Sequence, residues 1–249
     1  MAVSALLLAA SASLRVASLD LCADEYLLLL ARPAEIISVS RLAHDRYDNV
    51  LWRHGQRFPA NDGSIEDVVG RRPSLLLTTR GGGRASGAIA SRLGIGVLAL
   101  TYPTTIAEVE TTMVRVARAL GDVHRADPWR RRLARLQRTK LAQRDAIFLG
   151  SGGHSVSTGS LGAQWMALAG FQQRNLPGGR ATLETLATRP PQVVLRSTYR
   201  RGQQSLGQRW LDHPLVRRSR GRAIDTDGRP WTCAGPLMLG EIERLQALR

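Results

Sequence analysis

The sequence has little lysine, little cysteine and few aromatic residues, and it has no long apolar run after its first residues. Of the 35 basic residues only Lys140 is lysine, cysteine occurs twice, and aromatic residues make up 5% of the 249 positions. No zinc-finger spacing, RNA-recognition motif or basic heptad is present. No segment after residue 12 is long and apolar enough for a transmembrane helix. These absences argue against a nucleic-acid-binding or membrane-embedded protein.

The charge balance is strongly basic, with a formal net charge of +15. A basic surface gains affinity for nucleic acid by releasing counterions from phosphate. Here, however, the arginines are scattered along the chain, and an arginine excess of this kind is typical of coding bias as much as of function. We therefore expect no nucleic-acid partner. A basic surface that binds nucleic acid or a sugar phosphate is kept as the alternative.

The first residues, 1–12, have features of a signal peptide. The apolar run ends in Ala10-Ser11-Ala12, an A-x-A cleavage pattern that would leave a chain starting near Ser13. No Lys or Arg precedes the run, so either the signal is atypical or the true start lies upstream. The residues before Cys22 lack the small side chains of a lipoprotein cleavage site. We expect an exported, soluble, periplasmic protein.

One pattern occurs twice in the chain. A hydroxyl residue, a short helix with Glu in its first turn, a proline stop and a buried strand follow one another from Ser64 to Leu77 and again from Thr182 to Leu195. The second copy begins 118 residues after the first. A duplicated unit at this separation predicts two similar lobes and a cleft between them.

Strands alternate with helices in both halves, which predicts parallel sheets with covered faces. We assign residues 13–123 to an N-terminal α/β lobe, 124–144 to a linking helix and 145–249 to a C-terminal α/β lobe. The linking helix is expected to run from Asp127, as N-cap, to about Arg144, a rod of roughly 25 Å.

Ligands of open α/β sheets bind beyond the carboxyl ends of the strands. Applied to the predicted strands, this rule selects segments in both lobes. They are residues 20–24, 41–47, 80–84, 102, 152–158, 199–201 and 231–233.

At these segments the sequence resembles the periplasmic solute-binding proteins of ABC importers for ferric siderophores, haem and cobalamin. The resemblance rests on the order and spacing of several pieces: Arg15 to Asp24, the two repeats, Arg80-Gly81-Gly82-Gly83, Leu93-Gly94-Ile95 and Trp231 to Pro236. It implies two Rossmann-like parallel-sheet lobes joined by a single long α-helix, with the ligand cleft between the lobes. It also implies a monomer that binds a chelate without catalysis, a cofactor or a metal site of its own.

The resemblance gives the repeat a role. Members of that family present one surface glutamate from each lobe to arginines of the membrane permease, and the matching positions are Glu66 and Glu184. The alternative is that each glutamate only complements the dipole of its helix, worth about 0.3 to 1 kcal/mol. We favour docking, because the helix needs only some acid there whereas docking requires Glu in both copies.

Candidate ligand-binding residues lie on the predicted cleft segments. The tyrosines and Trp231 suit a planar ligand, although each alone fits core packing equally well. The Arg80-Gly81-Gly82 turn and nearby arginines 41, 84, 200 and 201 suit an anionic ligand, with a plain flexible turn as the alternative. The full set is Asp20, Cys22, His44, Tyr47, Arg80, Gly81, Gly82, Tyr102, His154, Tyr199, Arg200, Trp231 and Cys233.

Three of these assignments have simpler alternatives. His44 and His154 suit haem iron or a corrin, but loop histidines are more often solvated. Cys22 and Cys233 would form an interlobe disulfide in an oxidising compartment, although we favour two separate small buried hydrophobes. Asp20 and Asp24 are expected to cap the following helix rather than to form a catalytic pair.

No nucleophile, base and orienting acid converge in the pattern, and the Gly-x-Ser-x-Gly elbow is absent. A two-lobed enzyme acting on an anionic substrate is therefore a minor alternative. The expected function is capture of a metal chelate for an ABC permease. A ferric siderophore and a cobamide are held at parity, with haem as a third candidate.

Overall fold

The computed structural model describes residues 14–79, 84–198, 206–217 and 222–249, which form two α/β lobes. The first lobe contains β1 (Val16–Ser18), α1 (Leu21–Leu30), β2 (Ile36–Ser40), α2 (Trp52–Gly55), β3 (Ala60–Asn61), α3 (Ile65–Val69), β4 (Leu75–Thr79), α4 (Arg84–Arg92) and β5 (Gly96–Leu100). Two helices follow, α5 (Ile106–Ala119) and α6 (Asp127–Arg138). The second lobe contains β6 (Arg144–Leu149), α7 (Leu161–Leu168), β7 (Phe171–Gln173), α8 (Leu183–Thr188), β8 (Val193–Thr198), α9 (Leu206–Leu211), α10 (Pro214–Arg217), β9 (Arg222–Asp227), α11 (Gly228–Cys233) and α12 (Met238–Ala247). The expected signal peptide, 1–12, lies outside the described residues.

Each lobe is built on one parallel sheet. The first sheet has the order β3-β2-β1-β4-β5 and the second β7-β6-β8-β9. The second order matches the first when β6, β7, β8 and β9 are set against β1, β2, β4 and β5. The predicted α/β class with two similar parallel-sheet lobes is therefore confirmed.

The repeated sequence forms the same local structure in both lobes. The hydroxyl of Ser64 accepts a hydrogen bond from the Asp67 N–H (3.3 Å) at the start of α3. The hydroxyl of Thr182 accepts from the Thr185 N–H (3.0 Å) at the start of α8. Both helices lead into a central strand, β4 or β8, so the two copies occupy equivalent places in the fold.

The bounds expected for the linking helix, 124–144, differ from those in the structure. Gly121, with a φ of +84°, ends α5, and a 3-10 turn (Val123–Ala126) separates it from α6. Helix α6 has Asp127 as its first residue rather than its cap, and it ends at Arg138 after 12 residues, about 18 Å. It cannot continue to Arg144, because that residue already pairs in β6. Helix α5 packs against both lobes, on α1 and on α7.

The two lobes share one main hydrophobic core. It contains residues of β1 such as Val16, of α5 such as Met113, of α6 such as Leu133 and of β8 such as Val193, all essentially inaccessible to solvent. Each sheet also buries a smaller cluster of hydrophobic residues on its other face. Because the core runs without interruption through both lobes, large hinge motion between them would expose apolar surface.

Candidate functional site

The cleft edge of the first lobe is stabilised by Asp20, which immediately precedes α1. One carboxylate oxygen caps the helix by accepting from the Ala23 N–H (2.9 Å). The other accepts from the Thr79 N–H (2.6 Å) and the Thr78 hydroxyl (3.1 Å) at the end of β4. The predicted cap is confirmed. Both oxygens already have partners, so Asp20 ties α1 to β4 and has little capacity left for a ligand.

Asp24 does not cap the helix, contrary to expectation. Its side chain points inward and accepts hydrogen bonds from the Ser40 N–H (3.0 Å), the Ser40 hydroxyl (2.5 Å) and the Ser18 hydroxyl. Burial raises the pKa of the Asp24 carboxyl to about 7, although these hydrogen bonds oppose the shift. Asp24 therefore joins β1, β2 and α1 below the cleft.

Cys22 and Cys233 form a disulfide bond, with Cα atoms 5.5 Å apart. The favoured prediction of two separate buried hydrophobes is wrong, and the alternative is correct. Neither residue lies on a loop: Cys22 is in the first turn of α1 and Cys233 ends α11. Because α1 belongs to the first lobe and α11 to the second, the bond crosslinks the two lobes.

An apolar cavity of about 480 Å³ lies between the lobes. The aromatic rings of Phe148 and Trp231 meet in its wall at a centroid distance of 4.6 Å. The Trp231 indole N–H donates to the Thr226 hydroxyl (2.8 Å), which in turn donates to the buried Glu241 carboxylate (2.5 Å). The lining residues are Pro103 and Thr104 from the first lobe, and Phe148, Val156, Ser157, Gly159, Ser160, Leu161, Gly162, Trp231 and Ala234 from the second.

A second cavity, of about 470 Å³, is polar. In its wall Arg229 forms an ion pair with Asp227 (2.6 Å) and donates across the lobes to the Arg46 carbonyl (2.9 Å). Burial favours the protonated form of Asp227, but the hydrogen bonds and charge of Arg229 outweigh it and hold the pKa of this carboxyl below its ordinary value. The lining residues are Arg46, Tyr47, Thr198, Asp225, Asp227, Arg229 and Arg244.

Arg46 differs from the other arginines of the polar cavity. Arg229 pairs with Asp227 and Arg244 with Glu241, whereas the Arg46 guanidinium lies over the Tyr47 ring, 4.5 Å from its centroid, and donates to the Tyr47 hydroxyl. Within the described part of the chain no carboxylate pairs with it. Arg46 is therefore the cation of this cavity that is placed to receive an anionic group.

The two candidate histidines have different surroundings. His44 is half-buried, and its Nε2 lies 2.9 Å from the Phe58 carbonyl oxygen. That contact leaves Nε2 no lone pair for a metal. His154 is exposed and forms a β-bridge with Arg180. No group of three or more His, Cys, Asp or Glu among the described residues is arranged to hold a metal ion.

Some of the remaining candidates lie in or beside the two cavities, and the others lie outside the described residues. Tyr102 is 59% exposed, and its hydroxyl accepts a hydrogen bond from the Thr79 hydroxyl (3.3 Å). It directly precedes Pro103, which lines the apolar cavity. Tyr47 lines the polar cavity and Trp231 the apolar one. Trp231 lies in helix α11, not in the predicted loop. Arg80, Gly81, Gly82, Tyr199, Arg200 and Arg201 lie outside the described residues.

Sequence analysis missed several lining residues. Arg46 falls within the selected segment 41–47 but was not singled out. Arg229 and Asp227 were missed because the selected segments did not include the end of β9, which lies at Asp227. The carboxyl-end rule with the correct strand end would have selected both. Phe148 gave no signal, because an aromatic residue inside a buried strand looks like core.

Glu66 and Glu184 lie in the first turns of α3 and α8. Both are exposed, and neither carboxylate has a hydrogen-bond or ion-pair partner in the parts of the chain that the structure describes. Their helices occupy equivalent places in the two lobes. The fold therefore presents two unpaired carboxylates as a pseudo-symmetric pair. Among the residues described, no helix has the length and hydropathy needed to cross a membrane.

Comparison with known proteins identifies the fold. No family model and no curated protein sequence matches the chain. Solved structures do: a periplasmic haem-binding protein from Pseudomonas aeruginosa aligns with a TM-score of 0.67 at 19% identity, over 94% of this chain and 91% of that one. The periplasmic haem-binding protein HutB of Vibrio cholerae aligns with a TM-score of 0.73 at 15% identity, over 95% and 99%. Helicobacter pylori CeuE with Ni(II) bound aligns with a TM-score of 0.65 at 13% identity, over 94% and 82%.

Proposed function

We propose that this chain, which has the fold of periplasmic haem-binding proteins, is the substrate-binding protein of an ABC importer and carries a metal chelate between its lobes. The observation that supports this most strongly is the pair of interlobe cavities at the carboxyl ends of both sheets. Cavities of this size suit a small molecule, because ligand pockets commonly enclose about 300 to 1,000 Å³. The structural neighbours are binding proteins, and the function proposed here involves no bond making or breaking.

The chemistry of the cavities reduces the range of candidate chelates. Phe148 and Trp231 offer an aromatic wall to a planar apolar macrocycle. Arg46 and Tyr47 offer a guanidinium and a hydroxyl to an acidic group. A ligand with both features fits better than a wholly polar siderophore, and haem is the simplest such ligand. Similarity to haem-binding structures supports the same choice. Ferric siderophores and cobamides are included in the binding experiment described below.

Delivery to the permease would use Glu66 and Glu184. An importer with two transmembrane subunits has pseudo-twofold symmetry, so its partner needs matching charges on its two lobes. The exposed, unpaired carboxylates on α3 and α8 meet that requirement. A glutamate that served only its helix dipole would not need an equivalent in the other lobe.

A thermal-shift panel tests the binding function. The protein is heated with haemin, cyanocobalamin, several ferric siderophores and, as a control for its basic charge, a short DNA duplex. A ligand at a hundredfold excess over its dissociation constant adds about 2.7 kcal/mol to stability, which raises Tm by several degrees. We expect one chelate to respond. A response to DNA alone would show that the fold carries a different function.

Docking is tested with the double variant Glu66→Ala/Glu184→Ala. We expect unchanged chelate affinity and a loss of uptake in cells that carry the cognate permease, since close charge pairs across an interface can couple by about 1.5 to 7 kcal/mol. The matched control is Glu110→Ala/Glu243→Ala, which removes the same charge from partly exposed ion pairs with Arg130 and Arg132. Normal uptake by the first variant, or equal loss in both, would contradict the assignment.

A further inference from the structure

Residues 233–237, here called the clasp, connect α11 to α12 and are attached to helix α1 of the other lobe at two points. Cys233 is bonded to Cys22. One turn further along α1, the side chain of Glu25 lies against Gly235, where an added Cβ would be 2.7 Å from Glu25 Oε2, and the Leu237 backbone N–H lies near the same carboxyl group. Residues three apart share one side of a helix. One side of α1 therefore holds both ends of the clasp.

Two tryptophans fix the middle of the clasp. The Trp165 indole N–H in α7 donates to the Ala234 carbonyl (2.9 Å), and the Trp129 indole N–H in α6 donates to the Pro236 carbonyl (2.9 Å). Ala234 has a φ of +47°, a left-handed conformation that a non-glycine residue adopts only when its surroundings enforce it. The clasp is thus a rigid turn held by three helices.

The elements on either side of the clasp position Trp231. On one side, Trp231 precedes Cys233 by two residues in α11. On the other side, α12 carries Glu241, which accepts from the Thr226 hydroxyl, the acceptor of the Trp231 indole N–H. The clasp therefore lies between the two helices that hold the aromatic wall of the apolar cavity.

We infer that Glu25 and the Cys22–Cys233 disulfide are positioning groups for ligand binding: helix α1 of the first lobe sets the place of Trp231 in the second lobe through the clasp. The inference rests on the proposed function for its ligand, but the position of Trp231 is measurable without one. A wall that is already in place costs no ordering entropy when a ligand binds. Loosening the clasp therefore weakens binding although neither group lines the apolar cavity.

The main test uses Cys22→Ser/Cys233→Ser. Acrylamide quenching of Trp231 is obtained from the difference between each protein and the same protein carrying Trp231→Phe, which isolates one of the five tryptophans. We expect the quenching constant of Trp231 to rise about twofold and the dissociation constant of haemin to rise about tenfold, the scale of coupling through packed contacts. If the double variant does not fold, folded wild-type protein is reduced with a phosphine and measured once two free thiols are counted.

Glu25 provides a second, conservative comparison. Burial raises the pKa of its carboxyl well above the ordinary value. Glu25→Gln retains an acceptor oxygen and the shape of the side chain that packs against Gly235, and we expect near wild-type quenching and affinity. Glu25→Ala removes both and is expected to behave like the disulfide variant. Equal effects of Gln and Ala would contradict a positioning role.

Val194→Ala is the control for general destabilisation, since Val194 is buried in a separate cluster of the second lobe. We expect it to lower Tm without changing Trp231 quenching or haemin affinity. The inference is overturned if the disulfide variant lowers Tm in the same way and leaves both readouts unchanged. If no chelate binds wild-type protein, the proposed function fails, and the quenching comparison still decides whether α1 positions Trp231.

Discussion

The two lobes differ in how the acidic residues at the carboxyl ends of their sheets are paired. In the first lobe Asp20 and Asp24 turn inward and accept hydrogen bonds from residues of β1, β2, β4 and α1. In the second lobe Asp227 pairs with an arginine in a cavity wall, and Glu241 supports Trp231 through Thr226. The same sheet topology thus gives a hydrogen-bonded base around Asp20 and Asp24 in the first lobe, and a cavity wall around Asp227 and Trp231 in the second. The clasp joins the base to the wall.

The largest effect should come from the wall. Trp231→Ala removes the aromatic surface opposite Pro103 and Thr104, and central aromatic contacts commonly contribute 2 kcal/mol or more to binding. We expect the dissociation constant of the responding chelate to rise about thirtyfold, with circular dichroism unchanged. Trp52→Ala, which removes a tryptophan that is stacked with Arg53 in the first lobe, is the control and should bind normally. Normal binding by Trp231→Ala would place the ligand elsewhere.

A second prediction concerns the contact between base and wall. Arg229→Ala loses hydrogen bonds to the Arg46 and Asn49 carbonyls (2.9 and 3.4 Å) and leaves Asp227 without its partner. We expect a loss of about 2 kcal/mol in the free energy of unfolding, because a half-buried charge loses its pair. Urea titration measures it. Arg229→Ala/Asp227→Asn should recover part of this loss, and no recovery would show that the ion pair is not the cause.

A third prediction concerns the pH dependence of thermal stability that arises from Asp24 in the first lobe. The pKa of Asp24 is raised to about 7 in the folded protein, against about 3.9 in an unfolded chain. The folded state therefore binds the proton more tightly, so the Asp24 contribution to stability is fully present below about pH 4 and is lost as pH rises towards 7. We expect Tm to fall by several degrees across this range.

Asp24→Asn supplies the control for that prediction. The uncharged amide cannot titrate, so the decrease in Tm between pH 4 and 7 should become smaller than in wild-type protein. Glu25 also titrates with a raised pKa, and its contribution remains in the variant. The comparison of the two pH profiles therefore isolates Asp24. Identical profiles would show that Asp24 is ionised throughout this range.

Local patterns predicted much of this fold, because capping and stop signals act within a few residues. The hydroxyl caps at Ser64 and Thr182, the acidic first turns and the prolines marked both copies of the repeat, and the spacing of the copies implied two lobes. The carboxyl-end rule then located Tyr47 and Trp231 next to cavities.

The parts that were missed depend on tertiary contacts. The disulfide joins residues 211 positions apart, and no local pattern indicates whether two distant cysteines meet. From its position near the start of α1, Asp24 resembles a helix cap. In the fold it accepts hydrogen bonds from Ser18 and Ser40, which lie on two strands. Helix α6 cannot reach Arg144, because β6 pairs with its neighbours from that residue onwards. In each case the deciding partner is remote in sequence.

The most direct test of the central claim is an equilibrium titration of wild-type protein and Trp231→Ala with haemin, cyanocobalamin and a ferric siderophore, followed by the absorbance of each chelate. The account predicts that one chelate binds wild-type protein at one site with a dissociation constant below about 1 µM, and that the variant binds it at least tenfold more weakly. It is contradicted if no chelate binds more tightly than about 100 µM, or if the variant binds as tightly as wild-type protein.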